Sequence, residues 1–254
     1  MTSFRGFFKR ILEKKSPMLG AEKSPYYPGN SFEDSLARRS YSQSGEDMII
    51  DFVFKALEIS NPIYLDLGAH HPRKLNNTHC LYLAGSRGVN VEADPVLHEV
   101  FLKERPRDIN LNIGVGDSEE NILPFYVMST PTLNTFSKQE AERYEALGTF
   151  KIERVIDIPV LNVNEIICKY FDGQSPDLIT IDVEGLDQKI VESLDLVSYR
   201  PTVICVETIT FSDNFSGEKI DAIQEHLLSK GYFLYADTFI NSIFVDKARW
   251  RSKE

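Results

Sequence analysis

An apolar run that contains a carboxylate has few places in a fold where it can sit. In Tyr64-Leu65-Asp66-Leu67-Gly68-Ala69-His70-His71-Pro72 the run Ile63–Leu67 reads as a buried strand, yet Asp66 lies inside it. Gly68-Ala69 makes a small-residue turn at its end. A second apolar run, Gly88-Val89-Asn90-Val91, ends in the acidic Glu92, 24 residues after Gly68. This is the layout of a nucleotide-type cofactor site at the carboxyl edge of a parallel sheet. The turn lets a ligand approach the backbone, and the acid after the second strand can hydrogen-bond ribose hydroxyls. A strand, turn and helix with no ligand is the plainer alternative, since short glycine motifs are weak evidence on their own.

The turn is not a dinucleotide fingerprint, which would need glycines where the chain has His70 and Arg73. That points away from NAD and toward a cofactor with a ribose but no phosphate at this turn. S-adenosylmethionine fits, because its sulfonium and amino-acid tail need a close turn and carboxylates rather than a phosphate cradle.

The alternation of strands and helices along the rest of the chain predicts an α/β domain with a doubly wound, mostly parallel sheet and helices on both faces. Ser42 or Ser44 can cap a helix to about Ser60, with Met48, Ile49, Phe52, Val53 and Leu57 as its apolar face. Pro95 opens a helix that buries Val96, Leu97, Val100, Phe101 and Leu102. Ile109–Val115 reads as the third strand, Leu178–Asp182 as the fourth and Thr202–Glu207 as the fifth. Ile122–Val127 and Val155–Val160 are added strands around a polar segment, Ser129–Gly148. Tyr232–Thr238 and Ile243–Asp246 close the chain as an antiparallel pair. In this arrangement Asp66, Glu92, Asp117, Asp182 and Glu207 all fall at one edge, which is hard to explain as solvated surface.

With 254 residues the chain can form one large α/β domain, and a net charge of −10 argues against a general nucleic-acid binder. Residues 1–23 depart from that balance, with six basic and two acidic residues. Phe4, Phe7, Phe8, Ile11 and Leu12 among them form a basic amphipathic helix, suited to an anionic membrane surface or to docking on protein. Residues 1–39 are accordingly this helix and a Pro- and Gly-containing linker, and residues 40–254 the α/β domain. Cys80, Cys168 and Cys205 form no zinc signature and read as reduced thiols. With no secretory signal and no membrane span, the expected location is the cytoplasm, with peripheral contact at the inner membrane face.

Asp182-Val183-Glu184-Gly185 follows the run Leu178–Ile181. If the backbone stays extended, Asp182 and Glu184 point the same way and can orient an acceptor hydroxyl, take its proton or hold a metal. Alternatively Asp182 caps the next helix and Glu184 is simply exposed. His70 and His71 are candidate bases, or ordinary hydrogen-bonding loop residues. His71, Asp182 and Glu184 could together bind a divalent metal, though no tight ligand spacing supports it. Tyr41-Ser42-Gln43-Ser44-Gly45-Glu46-Asp47 can cover the cofactor site or cap its helix. In Ser129–Gly148, Thr132, Asn134, Thr135, Lys138 and Arg143 are candidates for acceptor recognition.

From about Tyr41 to Val245 the chain resembles the FkbM-type family of S-adenosylmethionine-dependent methyltransferases. The resemblance is carried by the Tyr41–Asp47 and Tyr64–Pro72 motifs, Asn77-Thr78, Gly88–Pro95, Asp177–Gly185 and Arg200–Glu207. Asp-Val-Glu-Gly after an apolar strand is the most specific of these. It implies a class I methyltransferase fold, Rossmann-like, with seven strands, the last antiparallel. It implies O-methylation of hydroxyls, of saccharides in bacterial surface polysaccharide biosynthesis (O-antigen or capsule) or of small-molecule natural products. Carried over by position, Gln43, Asp66, Gly68, Ala69, His70, Asn77, Thr78, Glu92, Ala93, Asp117 and Asp182 would contact the cofactor. Asp182, Glu184 and His71 would serve the transfer. The family's first motif usually has Asn after Gly-Ala, where this chain has His70. A nicotinamide-dependent oxidoreductase and a non-catalytic binding domain are the rival readings, and homo-oligomerisation is left open.

Overall fold

The structure, a computed structural model, describes residues 38–116, 121–210 and 217–251. The basic helix expected around Phe4–Leu12, its linker and Asp117 lie outside the described residues. Along the chain come α1 (Glu46–Ala56), β1 (Tyr64–Leu67), α2 (His79–Leu83), β2 (Gly88–Val91), α3 (Pro95–Glu104), β3 (Ile109–Leu111) and β4 (Gly114–Val115). Then follow β5 (Ile122–Met128), a 3-10 turn (Pro131–Leu133), α4 (Lys138–Ala146), β6 (Ile152–Leu161), α5 (Val163–Tyr170), β7 (Leu178–Ile181) and α6 (Asp187–Ser193). The chain closes with β8 (Val203–Glu207), α7 (Asp221–Ser229), β9 (Tyr232–Asp237), β10 (Asn241–Asp246) and α8 (Lys247–Arg251).

Seven strands form one sheet in the order β3-β2-β1-β7-β8-β10-β9, and only β10 runs against its neighbours. This is the expected class I methyltransferase architecture. The chain moves outward from β1 through β2 to β3 and returns on the other side of β1 at β7. The switch point, where ligands bind in such sheets, therefore lies between β1 and β7.

Both faces of the sheet are covered, which is why its central strands are apolar throughout. Leu65, Leu67, Ile179, Ile181, Ile204 and Val206 pack with α5, α6 and α7 on one face. Tyr64, Leu178, Val203, Cys205, Ile243 and Val245 pack with α1 and Leu81 of α2 on the other. The antiparallel strand is not the sheet edge, as the sequence suggested. All six residues of β10 are buried, so it fills the slot beside β8 and leaves the more exposed β9 outside.

Other departures have local causes. The run Ile109–Val115 splits in two. Asn112 turns its amide to the carbonyls of Glu92 and Ala93, 2.9 Å from each, and the chain leaves the main sheet there. β4 then pairs with β6 in a second, three-stranded sheet, β4-β6-β5. Ser129–Gly148 contains a helix, α4, whose first turn is capped by Ser137 accepting from the Glu140 amide. In α1 the buried face is Ile50, Val53 and Phe54, while Phe52 is exposed. In α3 only Phe101 is buried; Val96 and Leu102 are exposed, because this helix packs on β3 at the sheet edge.

The turn after β1 tolerates no side chain at Gly68. Its φ is +75°, and a Cβ there would lie 1.8 Å from the Asp182 carbonyl oxygen. Gly148 has nearly the same φ, +73°, with nothing within 4 Å of such a Cβ. Gly148→Ala should therefore cost only the left-handed penalty, about 1–2 kcal/mol, and Gly68→Ala distinctly more. Chemical denaturation of both variants tests this; equal losses would refute the close approach of β1 and β7.

Candidate active site

The site is assembled from the turns that follow the parallel strands. β1, β2 and β7 are in register, with Asp66 opposite Asn90 and Thr180, so their carboxyl ends lie level. The amides of Gly68 and Ala69 both donate to the Val91 carbonyl, and the Asp182 amide to that of Leu67. These bonds continue the ladder one step past the strands and bring the three turns together.

Glu92 is buried after β2 and accepts two backbone amides, from His70 and Asp94, each at 2.7 Å. The amide of His70, which in a dinucleotide turn would face a pyrophosphate, is thus already committed to a carboxylate. His70 reaches it from a left-handed conformation, φ 51°. Burial holds its imidazole neutral, with the pKa lowered to about 4. Ala93 packs against Phe125, Val127 and Ile158.

Asp66 is buried on the α1–α2 face and takes its partners from the loop after the turn. Thr78 Oγ1 donates to it at 2.8 Å and Asn76 Nδ2 at 3.2 Å. Asn77 points elsewhere, to Thr180 Oγ1. Behind this loop stands Arg105, fully buried, with its Nε 2.8 Å from Asp108. Its guanidinium donates to the Pro72 carbonyl, Asn76, Tyr64, Thr78 and Asn90. Asn76 and Arg105 were not legible as site residues.

His71 is not brought to the carboxylates after β7. Its Nδ1 accepts the amides of Arg73 and Lys74, and the charges acting on it are Glu104, Lys74 and Arg73. Among the described residues no group of three His, Cys, Asp or Glu is placed to hold a metal, so the His71–Asp182–Glu184 site does not form. Gln43 is exposed in the loop before α1. Glu46 and Asp47 in the same motif are buried. Glu46 accepts from Thr238 and Asn241 on the β9–β10 turn, and Asp47 from Ser40, Ser42 and the Tyr41 amide.

After β7 the backbone does not stay extended. Glu184 and Gly185 are both left-handed, with φ 50° and 97°, and the turn is capped by Asp187 rather than Asp182. The Asp187 carboxylate accepts the amides of Val183 and Gly185. The polar insertion closes on this turn. Thr135 Oγ1 donates to the Glu184 carbonyl at 2.8 Å, and the Tyr144 hydroxyl to the Glu184 carboxylate at 3.4 Å. Asn134 donates to Asp94, after β2. Thr132 lies in the 3-10 turn, and Lys138 and Arg143 pair with Glu142 and Glu140 of their own helix.

The charge at this edge is nearly all of one sign. Burial and neighbouring acids raise Asp66 to about 6, Asp182 to about 7 and Glu92 to about 8. Glu184 and Glu207 are raised well above the ordinary carboxylate range, with burial the largest cause. Arg105 is the cation that Asp66 senses; for Asp182, Glu184 and Glu207 the charges acting are all negative. Such an edge suits a ligand that carries positive charge and no phosphate.

A family model described as the methyltransferase FkbM domain matches residues 66–234. The chain belongs to this family of S-adenosylmethionine-dependent methyltransferases. The match takes in every strand from the end of β1 into β9, and with them the turns after β1, β2 and β7. Among solved structures, the chain is similar to methyltransferase FkbM from Methylobacillus flagellatus KT, at 13% identity and a TM-score of 0.41. That alignment covers 84% of this chain and 46% of that one, so the chain spans about half of its length. A TehB-like SAM-dependent methyltransferase from Corynebacterium glutamicum is also 13% identical, with a TM-score of 0.40, over 84% of this chain and 92% of that one. Magnesium protoporphyrin IX methyltransferase from Synechocystis PCC 6803 is 11% identical, with a TM-score of 0.37, over 80% of each chain. No curated protein matches.

The acidic edge of this FkbM-domain protein makes its stability depend on pH. Asp66, Asp182 and Glu92 keep protons in the folded state at pH values where unfolded carboxyls have lost them. The folded state binds more protons than the unfolded one, so their contribution falls as pH rises from about 5 to about 8. Without ligand the melting temperature should drop by several degrees across this range, and Glu92→Gln should flatten the upper part. A flat curve for the parent protein would show that these carboxylates are not desolvated.

Proposed function

We propose that the protein transfers a methyl group from S-adenosylmethionine to a hydroxyl of a saccharide. The observation that carries this is the junction of the Gly68 turn with the Asp182–Gly185 turn. A backbone with no room for a Cβ lies against the residue that follows β7, and unpaired acid character surrounds it. A close turn, two carboxylates and the absence of a phosphate cradle fit the cofactor's charge and shape.

Roles follow from the partners already described. Asp66, held by Thr78 and Asn76, lies with Gly68 and Ala69 at the turn suited to the amino-acid tail. Glu92, oriented by two amides, keeps lone pairs for the ribose hydroxyls. The cofactor supplies an electrophilic methyl carried on a cationic sulfur. Asp182, with a pKa raised to about 7, is matched to take the acceptor proton at neutral pH. The hydroxyl oxygen forms the new bond to carbon, its proton passes to Asp182, and the carbon–sulfur electron pair stays with sulfur. The saccharide acceptor, its place in surface glycan synthesis and the O-methylation itself rest on the family resemblance. Asn134 and Thr135 of the insertion bring hydrogen-bonding groups to the turns after β2 and β7, which agrees with such an acceptor.

Calorimetric titration with S-adenosylhomocysteine, with NAD as comparison, tests the cofactor. One-site binding of the former alone is expected; binding of NAD instead would overturn the reading. Asp182→Ala should retain that affinity and lose transfer by about 100-fold or more. Near-parental turnover would remove Asp182 from the role.

Among the described residues no helix is long and apolar enough to cross a membrane. We further propose that residues 1–23 bring the enzyme to an anionic membrane face, close to a lipid-linked glycan. The support is their net positive charge, with Phe4, Phe7, Phe8, Ile11 and Leu12 between the cations. Removal of the segment should abolish flotation with phosphatidylglycerol-containing vesicles; equal recovery with and without it would exclude the role.

A further inference from the structure

The insertion between β4 and α5 is bonded to two of the turns at the sheet edge. Asn134 and Thr135 are consecutive, yet they bond to turns on opposite sides of β1. Asn134 Nδ2 reaches Asp94 after β2 at 3.1 Å, and its Oδ1 accepts the Met128 amide. Thr135 Oγ1 reaches the Glu184 carbonyl after β7 and accepts the Ser137 amide that leads into α4. From α4, Tyr144 is 1% exposed and sets its hydroxyl on the Glu184 carboxylate. Glu140 of the same helix packs its Cγ 3.2 Å from where a Cβ on Gly185 would lie. Glu184 is thus held at both its carbonyl and its carboxylate, in a left-handed conformation that a non-glycine residue adopts only when its surroundings over-determine it.

We propose that Thr135 and Tyr144 are positioning residues that hold the Glu184 carboxyl against the acceptor, so that the insertion governs acceptor alignment while the sheet edge governs the cofactor. This rests on the methyl-transfer reading above. The charged and titratable groups that face Glu184 are Asp182 after β7, Asp187 on α6, Glu140 and Tyr144 on α4, and Glu207 after β8. Burial and the acids push the Glu184 carboxyl well above its ordinary range, and the Tyr144 hydroxyl opposes them. A neutral Glu184 can donate its proton in a hydrogen bond to a sugar oxygen while ionised Asp182 receives the hydroxyl proton. The rate should then rise with pH as Asp182 ionises and fall as Glu184 does.

The test uses the full chain, S-adenosylmethionine and a panel of methyl glycosides of hexoses and 6-deoxyhexoses. Tyr144→Phe removes a bond that favours the Glu184 carboxylate, so the alkaline limb of the rate profile should move to higher pH. Its kcat should fall about tenfold, the worth of one lost hydrogen bond of about 1.4 kcal/mol. Affinity for S-adenosylhomocysteine should stay the same. Thr135→Val should lower kcat in the same way, with Thr135→Ser restoring it. An unmoved alkaline limb in Tyr144→Phe, or an equal loss of S-adenosylhomocysteine affinity in both variants, would overturn the proposal. Titration of the Glu184 carboxyl by carbon-13 NMR gives a readout that needs no turnover; an unchanged Glu184 titration in Tyr144→Phe overturns the contact itself. If the parent protein binds S-adenosylhomocysteine but methylates no glycoside, the saccharide reading fails. A moved carboxyl titration in that case still shows Tyr144 acting on Glu184.

Discussion

The cofactor edge is built around one buried cation. Arg105 has no exposed surface, and burying a guanidinium costs several kcal/mol unless it is paired and fully hydrogen-bonded. Here Asp108 supplies the opposite charge, and the rings of Tyr64, Tyr82 and Phe101 lie 4.7–5.8 Å from the guanidinium carbon. The remaining donors meet groups from β1, β2 and the loop after the Gly68 turn. That loop has no regular structure of its own from Ala69 to Thr78. The planar fork fixes it, because a guanidinium can satisfy several acceptors only when all of them are in place. Thr78 passes the constraint on, accepting from Arg105 and donating to Asp66.

Among the described residues the opposite half of the edge has no such cation. Around Asp182, Glu184 and Glu207 the neighbours that act electrostatically are acids, and each raises the others' hold on a proton. The asymmetry divides the labour of the site. The β1–β2 side is pre-organised, with its oxygens already oriented by amides and by Arg105. The β7–β8 side holds acids with no cation among the groups acting on them, the setting in which the proposed proton transfer to Asp182 would take place.

Much of this was legible in the chain. Apolar runs that contain Asp66 or end in Glu92, Asp182 and Glu207 located four parallel strands and the edge they share, because an acid in or at the end of a buried strand is a costly choice that sequence displays openly. Asn162 caps α5 in a capping box with Glu165. Ser137 and Glu140 carry the same spacing at α4, but the polar composition around them masked the helix. Its one inward face needs only Ala141 and Tyr144. Arg105 gave no signal at all. A lone arginine after a helix is ordinarily a solvated end group, and its burial depends on acceptors scattered from Tyr64 to Asp108 that only the fold collects. The turn at Glu184 was misread for a related reason. An alternating pattern holds only while the strand lasts, and β7 ends at Ile181, before the motif begins.

The insertion is where fold and chemistry become separable. Nothing in the seven-stranded sheet needs β5, α4 and β6: their apolar residues pack mainly with one another, in clusters around Phe125 and Ile158 and around Met128 and Tyr144. They touch the site through a few polar bonds, of Asn134 to Asp94 and of Thr135 and Tyr144 to Glu184. A change in the length or angle of this unit would move Glu184 while leaving Asp66 and Gly68, whose partners lie elsewhere, in place. A scaffold divided in this way can keep one cofactor geometry while its acceptor changes. That is why the turn after β1 identifies the chemistry of the chain more firmly than anything in the insertion identifies its substrate.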